Sequence, residues 1–248
     1  MTLPHTPELR LGTLYLIPTN LAQPVMADAI LPRDVIAIAL RLEYYIAENA
    51  KTARAFLKAL GLARPLQEIS IQELNKHSDP SAQAASMKAM LSPLLAGHDM
   101  GLVSEAGAPA VADPGALVVS AAHLCGIRVA PLTGPSSLLL GLMASGLNGQ
   151  KFAFHGYLPQ DKAARTKAIL ELERESKRAN MTQLFIETPY RNQALFDDLL
   201  CTLALGTKLS VAANLTGLTE QIRTRSVAEW RAQTNELEKS PTLFLILA

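Results

Sequence analysis

Apolar residues along this chain fall into two alternating patterns. Short runs rich in β-branched and aliphatic residues read as strands, and stretches in which apolar positions recur every three or four residues read as helices. In the first half, Gly12–Pro18 (GTLYLIP), Leu42–Glu48, Met100–Ser104 and Ile127–Leu132 have the strand pattern. Asp34–Arg41, Lys51–Leu60, Gln83–Ala96 and Pro114–Cys125 have the helix pattern. Gly61, Gly97 and Gly126 stand just past three of those helices, where a residue tolerant of left-handed backbone closes the last turn. Pro114 suits a first helical position, where its missing N–H leaves no hydrogen bond unmade. This β-α-β-α alternation predicts a mostly parallel sheet covered by helices.

After a helix over Ser136–Ala144 the strands come closer together: Phe152–Leu158, Met181–Glu187, Leu209–Leu215, Gln221–Val227 and Pro241–Ala248. Helices are predicted between them at Asp161–Lys177, Tyr190–Leu203 and Ala228–Leu237. Such spacing favours antiparallel pairs, so the second half reads as a mixed sheet. The boundary is placed near Gly134, giving α/β domains over 1–133 and 134–248. No internal repeat or low-complexity segment interrupts either.

Composition narrows the picture. The 248 residues are 49% hydrophobic, with 23 Lys and Arg against 22 Asp and Glu, a net charge of +1. That balance argues against a disordered tail and against coating nucleic acid by bulk charge, while leaving room for a local basic patch. Lys51, Arg54, Lys58 and Arg64 read either as such a strip or as the solvated side of an amphipathic helix. Cys125 and Cys201 lie far apart without metal-ligand spacing and are expected to be buried small hydrophobes. The first residues lack a signal-peptide pattern, and no apolar run reaches the roughly 20 residues of a membrane span. A cytoplasmic protein with no bound metal and no membrane association is expected.

Three stretches at predicted strand ends combine small, polar and proline residues: PTN (Pro18 to Asn20), SEAGAPAVADPG (Ser104 to Gly115) and TGPSS (Thr133 to Ser137). Loops at the carboxyl ends of parallel strands are where such sheets hold ligands. In the longest of them, Gly107 and Gly115 permit dihedrals closed to other residues and Pro109 and Pro114 fix the path. Asp113, before Pro114, is expected at a helix N-cap. The same features also describe a tight capped loop with no ligand. TGPSS lacks a Walker ending, and neither a dinucleotide glycine motif nor a hydrolase nucleophile elbow is present.

The order of blocks does resemble a known family. GTLYLIPT, AENAKTARAFLKALG, LVSEAGAPAVADPG, GIRVAPLTGPSSLLLGLMASGL, FAFHGYLP and LFIETPYR follow one another as in the tetrapyrrole methylase superfamily, in its branch resembling ribosomal RNA small subunit methyltransferase I. The resemblance implies two α/β domains with S-adenosylmethionine between them, and a homodimer. Carried over by position, it implies cofactor contacts from Pro18 and Thr19, and from Ser104, Glu105, Ala106, Gly107, Pro109, Val111, Ala112 and Asp113. Thr133, Gly134, Pro135, Ser136 and Ser137 follow. In the second half it implies Glu187, Thr188, Ala213, Asn214, Leu215, Pro241 and Thr242.

Departures from the family pattern concern the acceptor. PTNLAQP stands where PTPIGNL is usual, SEAG replaces SDAG, and AENAKTA replaces AEDTRHT, with Asn49, Ala50 and Lys51 for Asp, Thr and Arg. Similar ENxKTAR patterns occur in other methyltransferase relatives. Three functions follow as expectations: 2′-O-ribose methylation of 16S ribosomal RNA in the 30S subunit or of a related RNA, methylation of a small molecule, tetrapyrrole-like or other, or binding of the cofactor without catalysis. A ribose acceptor benefits from a base, for which Glu48, His77 and Glu187 are the candidates. For each there is a plainer alternative, such as Glu48 capping the helix that follows it. Tyr190 and Arg191 read either as facing the acceptor or as packing at a helix start.

Overall fold

The computed structural model describes residues 10–22, 29–74, 87–233 and 236–248. Among these the chain divides into two compact units. One comprises 10–20 and the described part of 29–135; the other comprises 21–22 and the described part of 136–248. Gly134 and Pro135 thus group with the first unit, and Leu21 and Ala22 with the second.

The first unit is a five-stranded, wholly parallel sheet in the order β3-β2-β4-β1-β5. Its strands are β1 (Thr13–Ile17), β2 (Tyr44–Ala47), β3 (Ser70–Glu73), β4 (Met100–Val103) and β5 (Arg128–Pro131). Helices α1 (Arg33–Arg41) and α2 (Ala50–Ala59) bury Val35, Ala39, Ala53 and Leu57 against Ile17, Tyr45 and Val103 on one face. Helices α3 (Ser92–Leu95) and α4 (Gly115–Leu124) bury Leu94, Val118 and Ala122 against Leu14, Ile46 and Leu102 on the other. Each buried strand therefore presents apolar side chains to both sides, which explains why β1 and β4 read as continuous apolar runs. Burial among these side chains pushes the pKa of the Tyr45 phenol up, and its hydroxyl donates to the Ala39 carbonyl.

The second unit is a mixed sheet in the order β6-β7-β10-β8-β9, from β6 (Phe152–Tyr157), β7 (Thr182–Glu187), β8 (Lys208–Ala213), β9 (Gln221–Ser226) and β10 (Thr242–Leu247). Only β6 and β7 are parallel; β7–β10, β10–β8 and β8–β9 are antiparallel. Helix α5 (Ser137–Ser145) covers one face, packing Leu138 and Leu142 on Leu243 and Leu245. Gly141 brings the helix close to β10, since a Cβ there would lie 2.4 Å from the Leu243 Cδ2 and push that methyl aside. The other face carries α6 (Lys162–Ala179), α7 (Asn192–Thr202) and α8 (Val227–Arg231), with Ile169, Phe196, Leu199 and Trp230 in the core. The Trp230 indole N–H donates to the Leu209 carbonyl at 2.9 Å, Phe196 meets the ring edge-on, and the Arg225 guanidinium lies 5.0 Å from its centre.

Five expectations need correction. Strand β3 was not anticipated: Ser70–Glu73 is a short, largely exposed edge strand, so no buried apolar run marks it. The helix expected over Gln83–Ala96 begins outside the described residues; from 87 it is helical to 90, turns at Leu91 and resumes as α3 with Pro93 in its first turn. A proline there has no N–H to continue the preceding ladder. Helix α8 ends at Arg231, well short of Leu237. Helix α7 starts at Asn192, leaving Tyr190 outside it and 86% exposed. Cys125 is half-buried, and Cys201 is exposed because the buried side of α7 runs through Leu195, Phe196 and Leu199.

The centre of β4 leaves no room for a side chain at Gly101, where a Cβ would come within 2.6 Å of the Tyr45 ring and 2.8 Å of Ile17 Cδ1. Gly101→Ala is therefore expected to destabilise the first unit by about 1–3 kcal/mol through overpacking. Thermal or urea unfolding followed by circular dichroism checks it, and an unchanged transition would contradict the packing described.

Candidate functional site

Parallel pairing fixes where the first unit's unusual loops emerge. Ala47 and Ile17 are both opposite Val103, and Leu16 is opposite Pro131, so the carboxyl ends of β2, β4, β1 and β5 form one row. From β1 the chain leaves for α1 on one face, and from the neighbouring β4 for α4 on the other. A crevice between adjacent strands whose connections diverge is the usual ligand position in such sheets. The sequence-predicted residues Glu48, Pro18, Thr19, Ser104 to Asp113 and Thr133 to Pro135 all lie along this row.

Hydrogen bonds show which of them shape the loops. Thr19 and Gly107 exchange both backbone bonds, at 2.9 and 3.2 Å, in an isolated antiparallel bridge. The buried hydroxyls of Thr19 and Ser104 point inward, to the carbonyls of Ser104 and Gly107. Gly134 packs directly on Pro18, since a Cβ would lie 2.1 Å from the Pro18 Cγ. Pro109 is buried, whereas Glu105, Ala106, Val111, Ala112, Thr133 and Gly134 are exposed.

Asp113 differs from expectation. The N-cap of α4 is Pro114, without a side-chain cap bond, and Asp113 precedes it. Its carboxylate accepts from Gly115 N at 2.7 Å and, with both oxygens at 3.0 Å, from Ala110 N. This clamp bends the loop tightly enough that Ala110 and Ala112 both have positive φ, 65° and 60°. Left-handed backbone costs a non-glycine residue roughly 1–2 kcal/mol, and such strain clusters where loops are held for function.

Residue 49 closes the β2 end. The Asn49 side chain caps α2 by accepting from Lys51 N at 2.8 Å and Thr52 N at 3.4 Å, and the Glu73 carboxylate accepts from Ala50 N at 2.6 Å. The side-chain cap is therefore Asn49, and Glu48 stands half-buried before it. Thr52, which nothing in the sequence singled out, brings its hydroxyl 2.6 Å from Glu105 Oε1 and joins the β2 and β4 loops. Arg64 does not continue the basic strip: it pairs with Glu43 at 3.0 Å. His77 lies outside the described residues.

In the second unit the predicted residues also meet. Thr242 is opposite Glu187 on one side and Ala213 on the other, so Glu187, Pro241, Thr242 and Ala213 to Leu215 share one end of the sheet. Glu187 is buried, and its Oε1 accepts from Arg191 Nη2 at 2.6 Å, Arg191 Nε at 3.0 Å and Thr188 N at 2.6 Å. Arg191, whose side chain stays about a third exposed at 33%, holds this carboxylate. Asn214 has φ 50° and donates from Nδ2 to Thr219. Two residues that no sequence pattern marked complete the cluster. Asn192 donates to Ser240 O and Thr242 Oγ1 at 2.7 and 2.9 Å, while its own Oδ1 and the Ser240 hydroxyl are buried without partners. Ser136 heads α5 without a side-chain cap bond. Among the described residues no group of three or more His, Cys, Asp or Glu converges, and no helix is long and apolar enough to cross a membrane.

No protein-family model matches the chain. It is 32% identical to ribosomal RNA small subunit methyltransferase I of Xylella fastidiosa over 187 residues, 75% of this chain and 64% of that protein. The protein of the same name from Halalkalibacterium halodurans is 32% identical over 85% of this chain and 66% of its own length. That from Streptococcus pyogenes serotype M6 is 29% identical over 96% and 76%. The chain therefore spans under two thirds of the first relatives' length. Among solved structures, uroporphyrin-III-C-methyltransferase from Thermus thermophilus aligns over 95% of this chain and 92% of its own with TM-score 0.55 and 18% identity. The methyltransferase CobJ aligns over 96% and 94% with TM-score 0.61 and 15% identity. These two show a shared fold.

Replacing Asp113 by alanine leaves two loop N–H groups without their acceptor and is expected to cost about 2 kcal/mol of stability, read from urea denaturation. Ala112→Gly, which relieves a positive φ, is expected to be neutral or stabilising. A loss of about 1 kcal/mol, as at a helix interior, would count against the loop geometry.

Proposed function

We propose that the chain belongs to the tetrapyrrole methylase superfamily, in the branch resembling ribosomal RNA small subunit methyltransferase I, and that it is an S-adenosylmethionine-dependent methyltransferase. Its acceptor in this reading is a ribose 2′-hydroxyl of 16S ribosomal RNA or a related RNA, and it works in the cytoplasm as a homodimer. The observation that carries the cofactor assignment is the row of small-residue loops at the carboxyl ends of β4, β1 and β5, in the family's order and clamped by Asp113.

The residues present fit the cofactor within each unit. Ala106, Ala112 and Gly134 are exposed and small enough to let a ligand approach the backbone, Val111 is an exposed apolar contact beside them, and Glu105 offers a carboxylate to a hydroxyl or ammonium group. Thr19, Ser104, Gly107, Pro109 and Asp113 contribute by holding the loops, because their polar groups bond to the loop backbone or are buried. In the second unit the unpartnered Asn192 Oδ1 and Ser240 Oγ beside Thr242 suit a ligand with N–H or O–H donors. When bound, S-adenosylmethionine supplies a methyl group on a sulfonium sulfur, an electrophile that needs no further activation. The chain's part is to align the acceptor oxygen behind that carbon and to take its proton. Glu187 is unsuited to the second task with Oε1 held by Arg191, so the proposal gives it to Glu48 at the end of β2.

Calorimetry with S-adenosylmethionine is expected to show saturable binding, weakened at least tenfold, roughly 1.4 kcal/mol, in Asp113→Ala. Absence of heat at millimolar cofactor would remove the proposal. Incubating 30S subunits with labelled cofactor is expected to label one or more 2′-O-methyl riboses. Glu48→Gln should slow that reaction by about 10²–10⁴-fold while leaving cofactor binding intact. Cofactor binding without label in RNA would favour the small-molecule acceptor. Sedimentation velocity tests the homodimer.

A further inference from the structure

The acceptor side of this reading raises the question of what holds an RNA strand. Lys51, Arg54 and Lys58 occupy α2 at offsets of three and seven residues, which brings them within about 60° of arc on one helix face. All three are exposed, and none of their side chains makes a hydrogen bond or ion pair with a described residue. The apolar side of the same helix, Ala53 and Leu57, is buried in the core, so the basic face points away from it. The helix has no acidic residue. Two carboxylates reach its first turn from other elements, and both are bonded there: Glu73 to Ala50 N and Glu105 to the Thr52 hydroxyl.

One of these positions runs against the helix's own stability. Lys51 lies in the first turn, where the aligned peptide dipoles present partial positive charge and a carboxylate is favoured. Residues that break a local rule without repairing it nearby mark functional surfaces. The first turn of α2 is also tied to the β4 loop through Thr52 and Glu105, so the basic face starts at the candidate site and extends about 10 Å from it.

We propose that Lys51, Arg54 and Lys58 form a phosphate track for the single-stranded RNA that carries the acceptor, which rests on the RNA reading above. A polyanion matches three cations in a row that pair with no described residue better than any neutral partner does, and Arg64, paired with Glu43, takes no part.

The test is the salt dependence of binding of a fluorescently labelled, mixed-sequence single-stranded RNA to the full chain. Each phosphate contact contributes about 0.7 to the slope of log K against log salt, so K51A/R54A/K58A is expected to flatten the slope by about 2. K167A/R174A/K177A removes the same charge from the exposed side of α6 and is expected to leave the slope nearly unchanged. K51E is expected to keep or raise the melting temperature while weakening RNA binding, which a purely structural role would not do. The proposal is overturned if the α2 variant keeps the wild-type slope, if both triple variants lose it equally, or if the wild type binds cofactor but no RNA. A flattened slope with no methyl transfer to RNA would sustain the track and reject the acceptor instead.

Discussion

The all-parallel pairing of β3-β2-β4-β1-β5 is the constraint from which the rest of the first unit follows. Parallel neighbours cannot be joined by hairpins, so each strand must cross back over a face of the sheet before the next begins. Every crossover leaves from the same edge. Four loops of unrelated sequence are thereby delivered to one row, and the divergence of the chain after β1 and β4 opens a crevice between them. Helices on both faces exclude water from the sheet, and only its ends remain for polar chemistry.

Within that row, rigidity comes from short polar contacts more than from apolar packing. Asp113 gathers Ala110 and Gly115, Thr19 and Gly107 pair as a single bridge, and Gly134 lies against the Pro18 ring. Two alanines held at positive φ show that the loop's path is imposed by these bonds and not by local preference. At the second sheet's end a different device serves: a buried carboxylate, Glu187, is fixed by the guanidinium of Arg191. Removing one partner of such a pair leaves the other buried and uncompensated.

Much of this was legible in the sequence because periodicity, capping glycines and burial on two faces act through neighbouring residues. The strands β1, β2, β4 and β5, the helices α1, α2 and α4 and the contrast between a parallel and a mixed sheet were all written in local pattern. What escaped was information that depends on the far side of the fold. Strand β3 shows no apolar run because it is an exposed edge. Thr52 matters only because Glu105 arrives beside it, and Asn192 only because Ser240 and Thr242 do. Asp113 was recognised as an acceptor of backbone N–H groups, but which ones it takes depended on how tightly the loop turned. The family resemblance located the strand-end residues together, yet it could not separate those that shape a loop from those left exposed on it.

Trp230 is the chain's single tryptophan. It is sealed in the second unit between Phe196, the Leu209 carbonyl and the Arg225 guanidinium. Intrinsic indole emission is therefore a reporter of that unit alone, whereas the parallel sheet, whose aromatic residues include Tyr15, Tyr44 and Tyr45, is silent in it. Backbone dichroism sees both. The difference between the two signals during unfolding gives a direct optical measure of whether the two sheets melt as one cooperative body or as two.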